Sequence, residues 1–301
     1  MTMNQTQEPG LRAEAVLALG CTLGEGPVWD VQRACLWLTD IKQHAVHRFD
    51  PASGAHARFD APGQVGWVLP TDDGRLLAGL QAGLALFDPE TGVWDAPMPI
   101  AGEPEGNRLN DACVAPDGTV HFGSMDDAET ELSGRFHRFS RGTVEPAGPD
   151  AISITNGPAI SPDGTRIYFT DTLGQRILTA AIGADGSIAE ATLFADTAHD
   201  FPEAWPDGPV CDSEGCVWTG LWNGWGVARY APDGTLLGKV ELPVANVTKV
   251  AFGGDDLRRV FVTTARKGLD EAALAAQPEA GHLFAFDSPV AGVATVRVPL
   301  A

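Results

Sequence analysis

The chain has 301 residues, 44% of them hydrophobic, with a formal charge of −20 at pH 7. That length can bury a large core within one all-β domain, and its regular apolar runs exclude a disordered protein. The charge excludes a nucleic-acid binder, which needs a basic footprint; acids in such excess suit a soluble cytoplasmic protein, and attraction of a divalent cation has to be argued from particular carboxylates.

Residues 1–10 are polar and lack both a basic start and an apolar stretch, which predicts a flexible end rather than a signal peptide. Residues 11–301 are predicted to form a single domain. No run approaches the roughly 18 apolar residues of a membrane span. Two motifs then alternate along the chain. VWDVQRACLWLTD, ending at Asp40, is an apolar run, a turn and a second apolar run; HRFDPASG, from His47, is a strand running into a turn. The pair returns as VLPTDDGRLLAGL (ending at Leu80) with ALFDPETG, and as CVAPDGTVHFGSM (ending at Met125) with FHRFSRGT. It returns again as AISPDGTRIYFTD (ending at Asp171) with ILTAAIGADGS, and as VCDSEGCVWTGL (ending at Leu221) with ARYAPDGT. VAFGGDDLRRVFVTT (ending at Thr264) and LFAFDSPVAG make the last pair, with a short helix predicted in the insert LDEAALAAQ from Leu269. Turns recurring every 40 to 50 residues or so have the period of a propeller blade. Two hairpins per repeat predict four antiparallel strands per blade, and six repeats predict an all-β, six-bladed β-propeller. A β-sandwich would show no common period of this length.

Stepping back eight residues from the first turn of each repeat lands on Glu25, Gly66, Asn110, Asn156, Asp207 and Thr248. These positions are equivalent, so the symmetry of the repeat sets them in a ring at one mouth of the central channel, just before each innermost strand. Glu25, Asn156 and Asp207 are each followed by Gly-Pro or Gly and Pro in GEGP, TNGP and PDGP. Any one of the four oxygen-bearing residues could simply cap a strand. Four at equivalent positions point instead to a hard-cation site, because two facing carboxylates repel unless a cation or a proton intervenes. Asp40, Met125 and Asp171 end second strands on this same face, and the loop SMDDAETEL is expected to overhang the mouth. Arg108, two residues before Asn110, is placed for a substrate's oxygens, and HDFPEAWPDGP from His199 is expected to form another wall.

Other candidates are set aside. His44 and His47 lie three apart on a predicted strand and so face opposite sides, which makes them surface histidines. His199 and Asp200 read as a plain loop, and Trp222 and Trp225 serve equally well as core aromatics or as a sugar-stacking surface. Ser153 and Ser161 lack a G-x-S-x-G elbow, which argues against a serine hydrolase. Five cysteines without framework spacing predict reduced thiols.

At LGEGPVW, NRLNDACVAPDG, TNGPAISPDG and WPDGPVCDSEG the chain resembles the senescence marker protein, gluconolactonase and regucalcin family of metal-dependent sugar lactonases. Through NVTKVAFGG and FVTTARKGL it is most similar to the bacterial pentonolactonases, xylono- or arabinolactonase-like. The resemblance implies a six-bladed propeller with one divalent metal, hydrolysing a sugar lactone to the aldonic acid. It implies Glu25, Asn156 and Asp207 as metal ligands, Asp207 as general base, and Arg108 and Asn110 as substrate-binding residues. A further acidic substrate contact falls on Asp126, Asp127 or Glu129. An all-oxygen ligand set suits calcium, zinc, manganese, magnesium or ferrous iron alike. A carboxylate beside a cation is a weak base, so either Asp207 or a water activated by the metal can serve. Two rivals make different expectations: a non-catalytic propeller would close the metal's coordination sphere, and a lactonase for lipophilic lactones would have an apolar mouth. Neither nucleic acid nor membrane is an expected partner.

Overall fold

The computed structural model describes residues 11–300; the flexible end expected at residues 1–10 lies outside them. Runs rich in β-branched and aromatic side chains form 24 strands among the described residues, with two short helices. The turns between them have a common chemistry. In the Pro-Asp-Gly-Thr turns, Oδ1 of Asp117, Asp163 and Asp233 accepts from the N–H of the threonine two residues on, at 2.9, 3.1 and 3.0 Å. The glycine between them takes φ of +86°, +71° and +87°, a region that glycine enters without steric cost.

Four sheets are antiparallel meanders of four strands in chain order, beginning at Gly24–Asp30, Val65–Pro70, Asn107–Val114 and Thr155–Ile160. The fifth has eight strands. Its two halves begin at Trp205–Cys211 and Val247–Gly253 and meet at a single parallel bridge, Gly208 with Lys249. In the second half the early strand Glu14–Leu17 pairs antiparallel with the late strand Leu283–Asp287, so early and late parts of the chain share one sheet. The segment after Asp287 first stays with its own sheet, where Gly292 N donates to Leu257 O at 2.7 Å, and then reaches the sheet that begins at Val65–Pro70, where Val298 N donates to Pro70 O at 2.9 Å.

Burial falls from the first strand of each sheet to the last. Gly24–Asp30 and Val247–Gly253 are buried throughout, whereas Ala55–Asp60 alternates between exposed and partly buried residues, as a strand covered on one face does. Six first strands lie each against the next in chain order, and Val247–Gly253 lies against Gly24–Asp30 to close the circuit. Between neighbouring sheets, side chains such as Trp37, Trp67, Phe87 and Phe122 fill the core. The predicted helix is found at Glu271–Ala276, capped by Asp270 Oδ1 on Ala273 N at 2.8 Å. A second, Thr197–Asp200, was not anticipated. Among the described residues no helix is long and apolar enough to cross a membrane.

Candidate active site

Every first strand breaks register at the same place. The irregularities fall between Glu25 and Val28, Val65 and Trp67, Leu109 and Ala112, Asn156 and Ala159, Pro206 and Pro209, and Val247 and Val250. Each is a bulge, a device that turns a side chain out of the pleat. The six repeat-related positions therefore lie inside the innermost strands, not just before them, and the bulge is what aims them. Glycine after the bulged residue makes room for the neighbouring strand: a Cβ on Gly208 would lie 2.7 Å from the Lys249 stem.

Glu25, Asn110, Asn156 and Asp207 line one cavity of about 320 Å³ together with Arg108. Thr248 turns aside and donates to Gly24 O at 2.7 Å. The polar side chains form a chain of hydrogen bonds. Arg108 donates from Nη1 to Asn110 Oδ1. Asn110 Nδ2 donates to Asn156 Oδ1 at 2.9 Å and to Thr155 O at 2.7 Å. Asn156 Nδ2 donates to Thr172 Oγ1 at 2.9 Å, and that hydroxyl to Pro206 O at 2.9 Å. This network fixes the Asn156 amide, and Oδ1 keeps a lone pair beyond the one Asn110 occupies. Arg108 Nε donates to Asp127 Oδ1 at 2.8 Å, which leaves Nη2 without a protein partner among the described residues.

Glu25 and Asp207 are buried, 3% and 5% exposed. Burial, then the neighbouring Asp111 carboxylate, pushes Glu25 up to about 8. Asp207 is pushed well above the carboxylate range, first by burial and then by Glu25, which lies within hydrogen-bonding reach, and Asp111. Asp207 Oδ1 is buried with no hydrogen-bond partner. Such an orphaned oxygen beside a second carboxyl is what a hard cation relieves, so the carboxylates and the Asn156 amide oxygen fit one. Among the described residues no three His, Cys, Asp or Glu side chains cluster as a metal site, and the set is complete only with the amide.

One tier below, Asp111 and Lys249 occupy the positions that follow Asn110 and Thr248. Lys249 Nζ donates to Asp111 Oδ1 and, at 3.0 Å, to Ala112 O, while Asp111 Oδ2 accepts from Gly157 N at 2.7 Å. One carboxylate thus ties three first strands together at full burial. Sequence reading missed this tier, although stepping back seven residues instead of eight would have reached it. On its other side a 230 Å³ cavity is walled largely by Pro27, Val28, Ala159, Pro209 and Val250 and offers no carboxylate.

The outer residues sort themselves. Asp40 accepts from Thr22 N and Leu23 N at 2.8 and 3.1 Å, and Asp171 pairs with Arg176 at 2.9 Å, so both serve turns. Asp126 closes its own loop on Thr130 N and Glu131 N. Asp127 gathers Lys42, Gln64 and Arg108. Of the three candidate acids in that loop, Asp126, Asp127 and Glu129, it is Glu129 that lines the cavity. Trp205 and Trp222 are wall residues, with Leu23, Ile154 and Leu173, so the walls are more apolar than the sequence suggested. Trp225 is 41% exposed and His199 lies on the surface. His47 is not the surface residue expected: it is 6% exposed and stacks on His56, Nδ1 lying 2.9 Å from Nε2. All five cysteines are free.

Residues 23–266 match the SMP-30/Gluconolactonase/LRE-like region. The chain belongs to that family. Among the family's members, L-arabinolactonase of Azospirillum brasilense is 35% identical over 92% of each chain. The 6-deoxy-6-sulfogluconolactonase of Pseudomonas putida is 30% identical over 97% of this chain and 98% of its own. A solved structure, the calcium-binding protein regucalcin from Agrobacterium tumefaciens, superposes with a TM-score of 0.91 at 30% identity, covering 96% of this chain and 97% of that one. The sheets described above are therefore those of a propeller-like SMP-30/gluconolactonase fold, and these lactonase relatives support lactone hydrolysis.

Proposed function

We propose that the chain is a six-bladed β-propeller, one domain over residues 11–301, that hydrolyses a sugar aldono-lactone to its aldonic acid with one divalent cation. Reading the eight-stranded sheet as two blades joined by the Gly208–Lys249 bridge gives six blades. Glu25, Asn156 and Asp207 would hold the cation. The observation that carries this reading is the buried, partnerless Asp207 Oδ1 beside Glu25, at a cavity that also exposes a buried arginine's unspent donors.

When bound, a divalent cation polarises the lactone carbonyl and stabilises the negative charge that develops on it. The chain's own residues do the rest. Arg108 Nη2 donates to ring and hydroxyl oxygens. Asn110, whose two amide N–H bonds are already spent, contributes by holding Arg108 and Asn156 in place. Trp205 and Trp222 offer flat apolar surface to the sugar's C–H face. The Asp207 carboxylate takes a proton from the attacking water and returns it to the ring oxygen as the C–O bond breaks, leaving a hydroxyl and a carboxylic acid that then ionises to the carboxylate. Glu129 is the acid of its loop that reaches substrate, because it lines the cavity. Five free cysteines and the absence of any basic footprint support a cytoplasmic enzyme with a small-molecule partner and no nucleic acid.

The reading is tested with Asp207→Asn and Glu25→Gln, checked for folding by circular dichroism. Acid release from a panel of pentono- and hexonolactones should fall by more than a hundredfold, and titration calorimetry should show weakened divalent-metal binding. Wild-type rates in either variant would remove that residue from the mechanism.

A further inference from the structure

Beyond Glu25, Asp207 and Arg108, the ionisable residues lining the cavity are Glu129 and Lys267. They come from different sheets: Glu129 follows the strand Val120–Asp126, and Lys267 follows Arg259–Thr264. Lys267 Nζ donates to Glu129 Oε1, an ion pair between residues 138 apart in sequence. The ammonium also stands 6.0 Å from the centre of the Trp222 ring. Side-chain exposures of 30% and 31% keep both groups open to solvent and ligand. The cavity's other cation, Arg108, is already matched by Asp127. The outer part of the cavity therefore presents a donor and an acceptor side by side with no net charge.

We propose that the Glu129–Lys267 pair makes this site select neutral polyhydroxy lactones over lactones carrying an anionic group at the far end of the sugar chain. The inference rests on the lactonase reading above and names the substrate class within it. A hydroxyl both donates and accepts, so vicinal hydroxyls can bond the carboxylate and the ammonium together without separating them. An anionic terminus drawn toward Lys267 meets the Glu129 carboxylate at the same moment. It must either bear that repulsion or pull Lys267 away and leave Glu129 uncompensated. Lys267 alone would read as an anion receptor; Glu129 is what cancels it. The Pseudomonas putida relative is named for a sulfogluconolactone, and the pair predicts the opposite preference here.

The test compares galactono-1,4-lactone with galactaro-1,4-lactone, which differ by a terminal CH2OH oxidised to a carboxylate. Metal-loaded wild type should prefer the neutral lactone by at least roughly tenfold in kcat/KM. Glu129→Gln should shift that ratio toward the anionic lactone by roughly ten- to a hundredfold, the scale of one charge-assisted hydrogen bond. Lys267→Met should move it the other way. Repeating the assay at high salt separates the local pair from the chain's overall charge of −20, because distant charges are screened more strongly. Equal rates for both lactones in wild type, or a ratio unmoved by Glu129→Gln, overturns the selection while leaving lactone hydrolysis intact. Hydrolysis of neither lactone, nor of any other in a pentono- and hexonolactone panel, overturns the site reading and the selection with it. If Glu129→Gln does not fold, calorimetric binding of a pentitol against its terminal phosphate ester by wild type decides the point. Tighter binding of the ester overturns the proposal.

Discussion

Arg108 and Asn110 sit two residues apart and line the same cavity, but their bonds assign them different work. Arg108 keeps Nη2 for a ligand, whereas Asn110 spends its amide on Arg108, Thr155 and Asn156. Arg108→Ala should therefore raise KM and lower kcat/KM roughly ten- to a hundredfold, the value of a charged hydrogen bond, with metal affinity unchanged. Asn110→Ala releases both neighbours, so it should weaken metal binding as well as raise KM. Steady-state kinetics beside metal titration of the same samples separates the two. Unaltered metal affinity in Asn110→Ala would show that Asn156 does not depend on it.

At the scale of the strand, alternation places some imidazoles where they cannot easily charge. Burial pushes His121, on Val120–Asp126, down to about 4; His47, on Ala45–Asp50, is pushed down to about 4 by burial and by His56. Both bind their proton in the unfolded chain near 6.5. At these two groups the unfolded state thus holds more protons than the folded state between pH 6.5 and 4, so their contribution to stability falls as pH falls, while the raised Glu25 and Asp207 work in the opposite sense. Each histidine contributes about 3 kcal/mol to that limb. Turn aspartates act lower: Asp73, held at about 2 by its hydrogen bond with Arg75, gives up its contribution only as pH falls from about 4 toward 2. Urea unfolding across pH 7 to 4 should show His121→Leu losing about 3 kcal/mol less stability than wild type as the pH falls. An unchanged slope would mean that His121 is free to protonate in the fold.

Across the whole molecule, what could be read from the sequence was whatever the repeat imposes. One strand–turn–strand pattern makes equivalent positions legible, so Glu25, Asn110, Asn156 and Asp207 could be gathered before any coordinates, because symmetry carries them to one place. The bulges that aim them leave only an indirect mark, the glycine after the ring residue in three repeats. The Asp111–Lys249 tie was hidden because it pairs two repeats that depart from glycine there. Glu129, Lys267 and Thr172 come from connections between strands, where no period relates one copy to another, and Trp205 opens its strand straight after such a connection. The excess acid also divides by place: Asp117, Asp163 and Asp233 hold turns, and a small buried group faces the cavity.

The proposed hydrolysis requires this buried group to work through a divalent cation. Its most direct test is the rate of acid release from a pentono-1,4-lactone by chelator-stripped protein, before and after adding back one metal at a time. The stripped protein should release acid at the uncatalysed background, and at least one divalent metal should restore the rate in wild type but not in Asp207→Asn. Full activity in the stripped protein would contradict this requirement.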